Sequence, residues 1–485
     1  MDATRACPLP DPDMPAAPRS ARANGPPATG PRLRDIGATL PFRPPVPPAP
    51  EAPVPFRDFL RAVRTNALAM FPRAAYEQDS ITGSLMGRKN VTLNAPDAIH
   101  HVLVGNPGNF RRSPASIRIL RPITGEGLLL SEGDTWKLQR RTIAPALSPR
   151  VMPMLASHIV ASTERAIAHL TAQTEPIDLL ATMQNLALDI AGRSMFSLEM
   201  DRHGPAMRAY MTEFGTRYSR PSLLDMLLPP SIPSPNDFGR TRFKRRWMGF
   251  IETILQSRLQ QSPPETPRDL FDLLRAARDP ETGAAFTPPQ LRDQVATLIL
   301  AGHETTAVTL FWAIIMLSEA QDDQDWLAEE ASQVRITPDA IPALVRTKAV
   351  VNETLRLFPA AFTIVRETIK RDRAGGIDLP PRAVVMIAPW LLHRHHKLWD
   401  DPAAFRPTRF MPDQPPPPRF TFMPFGAGPR VCVGAQFAMS EAILVLAAII
   451  GRFRVTRVDT RPVLPVGIVT TQPDHPARVK LTPRQ

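Results

Sequence analysis

The sequence predicts a mainly α-helical domain with a small β-rich lobe, and three features of its 485 residues carry that expectation. Residues from 155 to about 260 keep helical periodicity, broken only by prolines. A second run, opened by Thr287-Pro288, stays apolar through Leu317. After Pro359 the pattern shortens to strand-like apolar segments alternating with turns.

Taken in order, residues 1–56 hold sixteen prolines, including Pro44-Pro45-Val46-Pro47-Pro48, which rules out an ordinary helix or central strand. We expect a disordered arm over 1–56 and one folded domain over 57–485. Asp2, Asp11, Asp13 and the prolines argue against a mitochondrial presequence, and the arm has no apolar signal core. The best bilayer candidate, residues 298–317, contains His303 and Glu304 and reads as a buried helix. The chain therefore reads as soluble and cytoplasmic, without a transmembrane anchor. Its two cysteines, Cys7 and Cys432, make no disulfide framework, which fits a reducing compartment.

Glycines 83 and 87 and Asn90 suggest a hairpin over residues 80–93, with a helix over about 96–104. Residues 105–135 read mostly as loop. Beyond them a helix opens at Trp136, and Trp136 and Arg140, at i and i+4, share one face. The helical middle is interrupted by Pro221 and by the run from Pro229 to Pro235, through an apolar stretch over 223–232. Thr287 and Pro288 supply an N-cap and a first-turn proline for the long helix. Inside it, Ala301-Gly302-His303-Glu304-Thr305-Thr306 places polar groups where burial is costly unless they are paired or used. Ala307 stands where a His-Glu-x-x-His zinc site needs its second histidine, so that chemistry is excluded. Further helices are expected over 342–357 and 435–453. His393, His395 and His396 lie in an irregular, proline-rich segment and read as surface residues without a metal.

One loop concentrates the chemistry: Phe425-Gly426-Ala427-Gly428-Pro429-Arg430-Val431-Cys432-Val433-Gly434. Its glycines permit positive φ and close backbone approach, so it can turn a single sulfur toward a flat ligand. Arg430 and the helix opening near Ala435 are expected to lower the cysteine pKa toward the thiolate that binds metal. The alternative is a glycine loop around a merely buried cysteine.

The spacing Phe-x-x-Gly-x-Arg-x-Cys-x-Gly is met in full and resembles the haem-binding loop of the cytochrome P450 family, where a cysteine thiolate is the axial ligand. From about residue 40 onward, five motifs follow that family's order. The resemblance implies the cytochrome P450 fold, with haem b as cofactor and Cys432 as its iron ligand, in a loop shaped by Phe425, Gly426 and Gly434. It implies that Arg430, Arg366, Trp136 and Arg140 bind the haem propionates, a task suited to the arginine fork. The segment from Ala301 to Thr306 is similar to the family's helix above the haem. There Gly302 leaves room for dioxygen, Glu304 supplies protons and Thr305 holds the oxygen intermediate. Glu353 and Arg356 resemble the Glu-x-x-Arg signature, completed by Arg409 as a structural triad. Thr408 stands where the family carries an acid, which removes one outer ion pair.

By family position the substrate meets residues 117–120 including Leu120, then Leu300, Ala301, Ala361, Phe362, Ile364 and 468–470 including Val469. These are mainly apolar, which implies a fatty acid or terpenoid-like substrate, and Arg118 could meet a carboxylate. The implied activity inserts one atom of dioxygen, with electrons from a separate ferredoxin or flavodoxin and its NAD(P)H reductase. The formal charge of +12, of which (58−6)−(46−5) = +11 belongs to the body, suggests a basic docking face that includes Lys137 and Arg141. Neither zinc-finger spacing nor an aromatic-laced basic block points to nucleic acid. A peroxide-driven peroxygenase, disfavoured by Glu304-Thr305, and a non-catalytic haem-binding sensor are the alternatives.

Overall fold

The computed structural model describes residues 41–484 apart from 86, 198–199 and 229–231. Residues 41–55, which their prolines assign to the arm, lie against the domain. The Phe42 carbonyl accepts from Phe405 N at 2.8 Å, the Pro50 carbonyl accepts from Arg73 N at 2.8 Å, and Arg43 pairs with Asp401 at 2.9 Å. The earlier part of the arm lies outside the described residues.

After α1 (Phe56–Thr65), the expected hairpin forms from β1 (Ser80–Leu85) and β2 (Arg88–Leu93), with Gly87 turning at φ 76°. Then come α2 (Pro96–His100) and β3 (Phe110–Arg112). Residues 105–135 are not mostly loop, because α3 (Pro114–Thr124) lies within them and α4 (Gly133–Ile143) starts before Trp136. The Ser113 hydroxyl caps α3 by accepting from Ser116 N at 3.2 Å, a signal present in Ser113-Pro114. Pro122 inside the helix obscured it.

The helical lobe comprises α5 (Met152–Thr171), a short β4 (Ile177–Asp178), α6 (Leu179–Phe196), α7 (Met200–Glu213), α8 (Leu223–Leu227), α9 (Pro235–Leu259) and α10 (Leu270–Ala276). Next is α11 (Pro288–Glu319), opened by a capping box in which Thr287 and Gln290 satisfy each other's backbone N–H groups. It is apolar on nearly every face and therefore central, packing against α3, α6 and α9. Following it are α12 (Gln321–Gln333) and α13 (Val345–Leu357).

The β-rich part holds β5 (Ile364–Thr368), β6 (Asp372–Ala374), β7 (Ile377–Leu379) and β8 (Val384–Ile387), followed by α14 (Pro389–Leu392). One sheet runs in the order β1-β2-β8-β5-β3, with only β2 and β8 parallel. The chain closes with α15 (Ala435–Arg452), β9 (Phe453–Arg457), β10 (Pro465–Gly467), β11 (Thr471–Pro473) and β12 (Arg478–Pro483). By length and apolarity α11 and α15 could each cross a bilayer, but 78% and 61% of their apolar windows are buried in the domain. Among the described residues no cluster of metal-ligating side chains occurs.

Of the three histidines expected at the surface, His396 is exposed but the other two are not. His393 and His395 are buried, and His393 Nε2 accepts from Met423 N at 2.8 Å, tying 393 to the approach to the cysteine loop. Burial depresses His393 from 6.5 to about 3, and His303 on α11 from 6.5 to about 4. The unfolded chain binds these protons first, so their stability contribution is complete above the ordinary imidazole pKa and is lost as pH falls through the folded values. Denaturant titrations should show roughly 3–5 kcal/mol lost per imidazole over that window. His393→Gln should flatten the slope.

Candidate active site

A cavity of about 870 Å³ is walled by the cysteine loop, α11, β5 and the turn between β10 and β11. The expected residues Leu120, Leu300, Ala301, Ala361, Phe362, Ile364 and Val469 all line it, as do Phe425, Gly426 and Gly434. The sulfur of Cys432 fronts the cavity, although protein encloses it.

The loop is built by its backbone. Cys432 N donates to the Phe425 carbonyl at 2.9 Å, and Val431 N donates to Gly428 at 3.0 Å. Gly428 has φ 72°, and a Cβ there would fall 2.1 Å from the Leu103 carbonyl, so both its conformation and its space demand glycine. Gly434 differs from expectation. Its φ is −93°, and a Cβ would meet no protein atom, so backbone strain is not what calls for glycine there.

The thiol also departs from expectation. Burial pushes Cys432 up from its ordinary pKa, opposed by the Gly434 N–H and by Arg140, whereas Arg430 is committed elsewhere. Arg430 pairs with Glu132, donates to the Ser131 carbonyl at 3.0 Å and lies 4.5 Å from the Trp136 ring centroid. Arg140 holds the loop by donating to the Val431 carbonyl at 2.8 Å.

A third cation, Arg112, was missed in the sequence because only the sheet reveals it. It pairs in register with Arg366 across β3 and β5, and like charges directly opposed are unfavourable in a sheet. Burial and neighbouring guanidinium groups lower Arg112 to about 9 and Arg366 to about 10, and Glu132 is the one carboxylate that offsets them. Arg112 Nε is buried without a hydrogen-bond partner. One sulfur and three guanidiniums sharing a single carboxylate fit a flat iron macrocycle that carries its own carboxylates.

On α11 the side chains of Glu304 and Thr305 are not bonded to each other. The Thr305 hydroxyl donates back to the Ala301 carbonyl at 2.6 Å, while Glu304 Oε1 accepts from Thr470 and Gln472. Glu304 is partly buried and lines the cavity. Burial raises its pKa against the two donors, and no charged group contributes. Gly302 also has a packing reason: a Cβ there would approach Met195 Cε to 3.0 Å.

The triad forms. Arg356 binds Glu353 bidentately at 2.7 and 2.8 Å with both side chains fully buried, and Arg409 reaches Glu353 at 3.4 Å. Arg118 does not meet the cavity. Its guanidinium donates to the Leu224, Leu228 and Ile232 carbonyls and contacts Asp237 at 3.5 Å. Arg141 is neutralised by Asp279 at 2.9 Å and Glu281 at 3.0 Å, so it offers no free docking charge, while exposed Lys137 contacts Asp134 at 2.9 Å.

Comparison with known proteins agrees with this geometry. The family model for cytochrome P450 matches residues 48–480. Cyclooctatin synthase of Streptomyces melanosporofaciens is 32% identical over 382 residues, covering 76% of this chain and 82% of the relative. Cyclooctat-9-en-7-ol 5-monooxygenase of the same organism is 28% identical over 74% of this chain and 78% of its own. Cytokinin hydroxylase of Arabidopsis thaliana is 27% identical over 81% and 79% respectively. With a family match across nearly the whole described chain and a cavity fronted by one cysteine sulfur, the protein belongs to the cytochrome P450 family, monooxygenases that hold haem b through a cysteine thiolate.

Proposed function

We propose that this monooxygenase hydroxylates a neutral, hydrophobic, terpenoid-like molecule rather than a fatty acid. The observation that carries this reading is the engagement of Arg118 by three carbonyls and Asp237, outside the cavity. Among the described residues the cations lining the cavity are Arg112, Arg140, Arg366 and Arg430 around the cysteine loop and Arg88, which pairs with Glu367. A carboxylate in the apolar end would meet no unengaged cation and would carry a desolvation cost. Two relatives bear names built on cyclooctatin and cyclooctat-9-en-7-ol, which supports the same direction.

In this reading Cys432 would supply the thiolate, and Arg112, Arg366 and Arg430 would hold the haem propionates, with Trp136 and Arg140 bracing the loop. The bound haem supplies dioxygen activation. Overall, substrate, dioxygen, two electrons and two protons give the alcohol and water. Glu304 supplies protons and Thr305 passes them on, as general acids lining a mainly apolar cavity. A separate ferredoxin or flavodoxin with its reductase delivers the electrons, a role supported by the formal charge of +12.

Substrate class is tested by ligand-induced spectral titration with matched pairs. Terpenoid alcohols should bind at least as tightly as hydrocarbons of their size, and each fatty acid should bind at least roughly tenfold more weakly than its fatty alcohol, a lower bound on the cost of one unpaired buried charge. Tighter binding of the acids would overturn the proposal.

A further inference from the structure

The turn that joins β10 to β11 carries Ile468, Val469 and Thr470, and all three line the cavity. Its position is set from outside the site. Thr471 donates from its N–H to the Ala360 carbonyl at 3.1 Å and from its hydroxyl to the Pro359 carbonyl at 2.6 Å, while Trp312 Nε1 of α11 donates to the Thr471 carbonyl at 2.8 Å. The hairpin is thus bonded both to the α13–β5 connection and to the helix that carries Glu304.

From this fixed turn and from β11 two neutral donors, Thr470 and Gln472, converge on one carboxylate oxygen. The Thr470 hydroxyl donates to Glu304 Oε1 at 2.9 Å and Gln472 Nε2 donates to it at 2.7 Å, while Gln472 Nε2 also lies 2.9 Å from Thr470 Oγ1. These are the hydrogen bonds of the Glu304 side chain among the described residues. Its neighbour Thr305 is occupied with the Ala301 carbonyl. Among the described residues no cation holds the acid, so hydrogen bonding rather than charge pairing determines where it points.

We propose that Thr470 and Gln472 are positioning residues for proton delivery by Glu304, holding its carboxyl on the β10–β11 turn, so that the turn meeting substrate at Val469 also decides where the acid points. This rests on the reading of Glu304 as the proton supplier. The acid leaves the turn to reach Thr305, gives up one proton there and recovers one from solvent, so the proton balance of the hydroxylation is unchanged. A substrate that presses on Val469 bears on the same short segment, which links filling of the cavity to release of the acid.

The test compares the parent with the Thr470→Val/Gln472→Leu double variant, in which both donors are replaced by groups of similar size. Crystal structures should show the Glu304 carboxyl moved off the turn. The fraction of donor electrons recovered in product should fall roughly tenfold, the worth of one hydrogen bond to a charged group, with peroxide released instead. Electron recovery is read at saturating substrate, because Thr470 lines the cavity and its change can alter Kd. Gln472→Leu alone, which leaves the cavity lining unchanged, should show part of the same fall, and Thr470→Ser, which keeps the hydroxyl, should retain the parent's electron recovery. An unmoved carboxyl or unchanged electron recovery overturns the proposal. Glu304→Gln separates the two layers: if it oxygenates as the parent does, proton supply by Glu304 itself fails. If Glu304→Gln is impaired while the double variant is not, only the positioning role fails.

Discussion

Cys432→Ser should yield folded protein with a changed iron spectrum and oxygenation reduced more than roughly 100-fold, because even the outer partners of a metal ligand cost 10–100-fold when removed. The fold should survive, since the loop is held by the Cys432 N–H to the Phe425 carbonyl, by Arg140 to the Val431 carbonyl and by Gly428 under Leu103, none of which uses the sulfur. What disappears is the electron donation by which a thiolate favours O–O cleavage. The buried thiol, pushed up in pKa, must give up its proton when iron binds. Haem uptake by the apoprotein should therefore release a proton and tighten as pH rises. The spectrum of the reduced, carbon-monoxide-bound protein checks the first expectation, because thiolate and imidazole ligation differ in Soret position. A parental spectrum with parental turnover in Cys432→Ser would remove Cys432 from the site.

Arg356→Leu should be the most damaging change away from the cavity, at about 3–5 kcal/mol, the usual cost of stripping one partner from a buried ion pair. Arg356 binds Glu353 through two bonds and also donates to the His393, Pro402 and Ala404 carbonyls at 2.9, 2.8 and 2.8 Å, with its guanidinium 5.1 Å from the Trp399 ring centroid. Leucine would leave Glu353 charged and buried beside only Arg409 and the Arg406 N–H, and would strand three carbonyls. Those carbonyls belong to the segment that leads into the cysteine loop, so haem retention should drop with stability. Denaturant unfolding together with haem content per protein measures both. A loss below about 1 kcal/mol would place the triad among ordinary surface pairs.

Local patterns were legible wherever one residue's chemistry dictates its own surroundings. Thr287-Pro288 announced a helix start, the apolar run behind it announced burial, and the cysteine loop announced its sulfur. Contacts between distant segments were not legible. Arg118 looked like a carboxylate receptor, but folding brings the Leu224, Leu228 and Ile232 carbonyls to it. Arg141 looked like a docking charge until the chain returned Asp279 and Glu281.

The sequence by itself determined the helical class, the cysteine loop and the Glu353–Arg356 pair, because spacing along a helix or a glycine turn fixes which side chains are neighbours. Only the tertiary structure decided that Arg112 faces Arg366, that His393 is buried and that Glu304 is bonded to Thr470 and Gln472. Those pairings join residues far apart in the chain, and burial sets both their charge and their partners once the core closes around them.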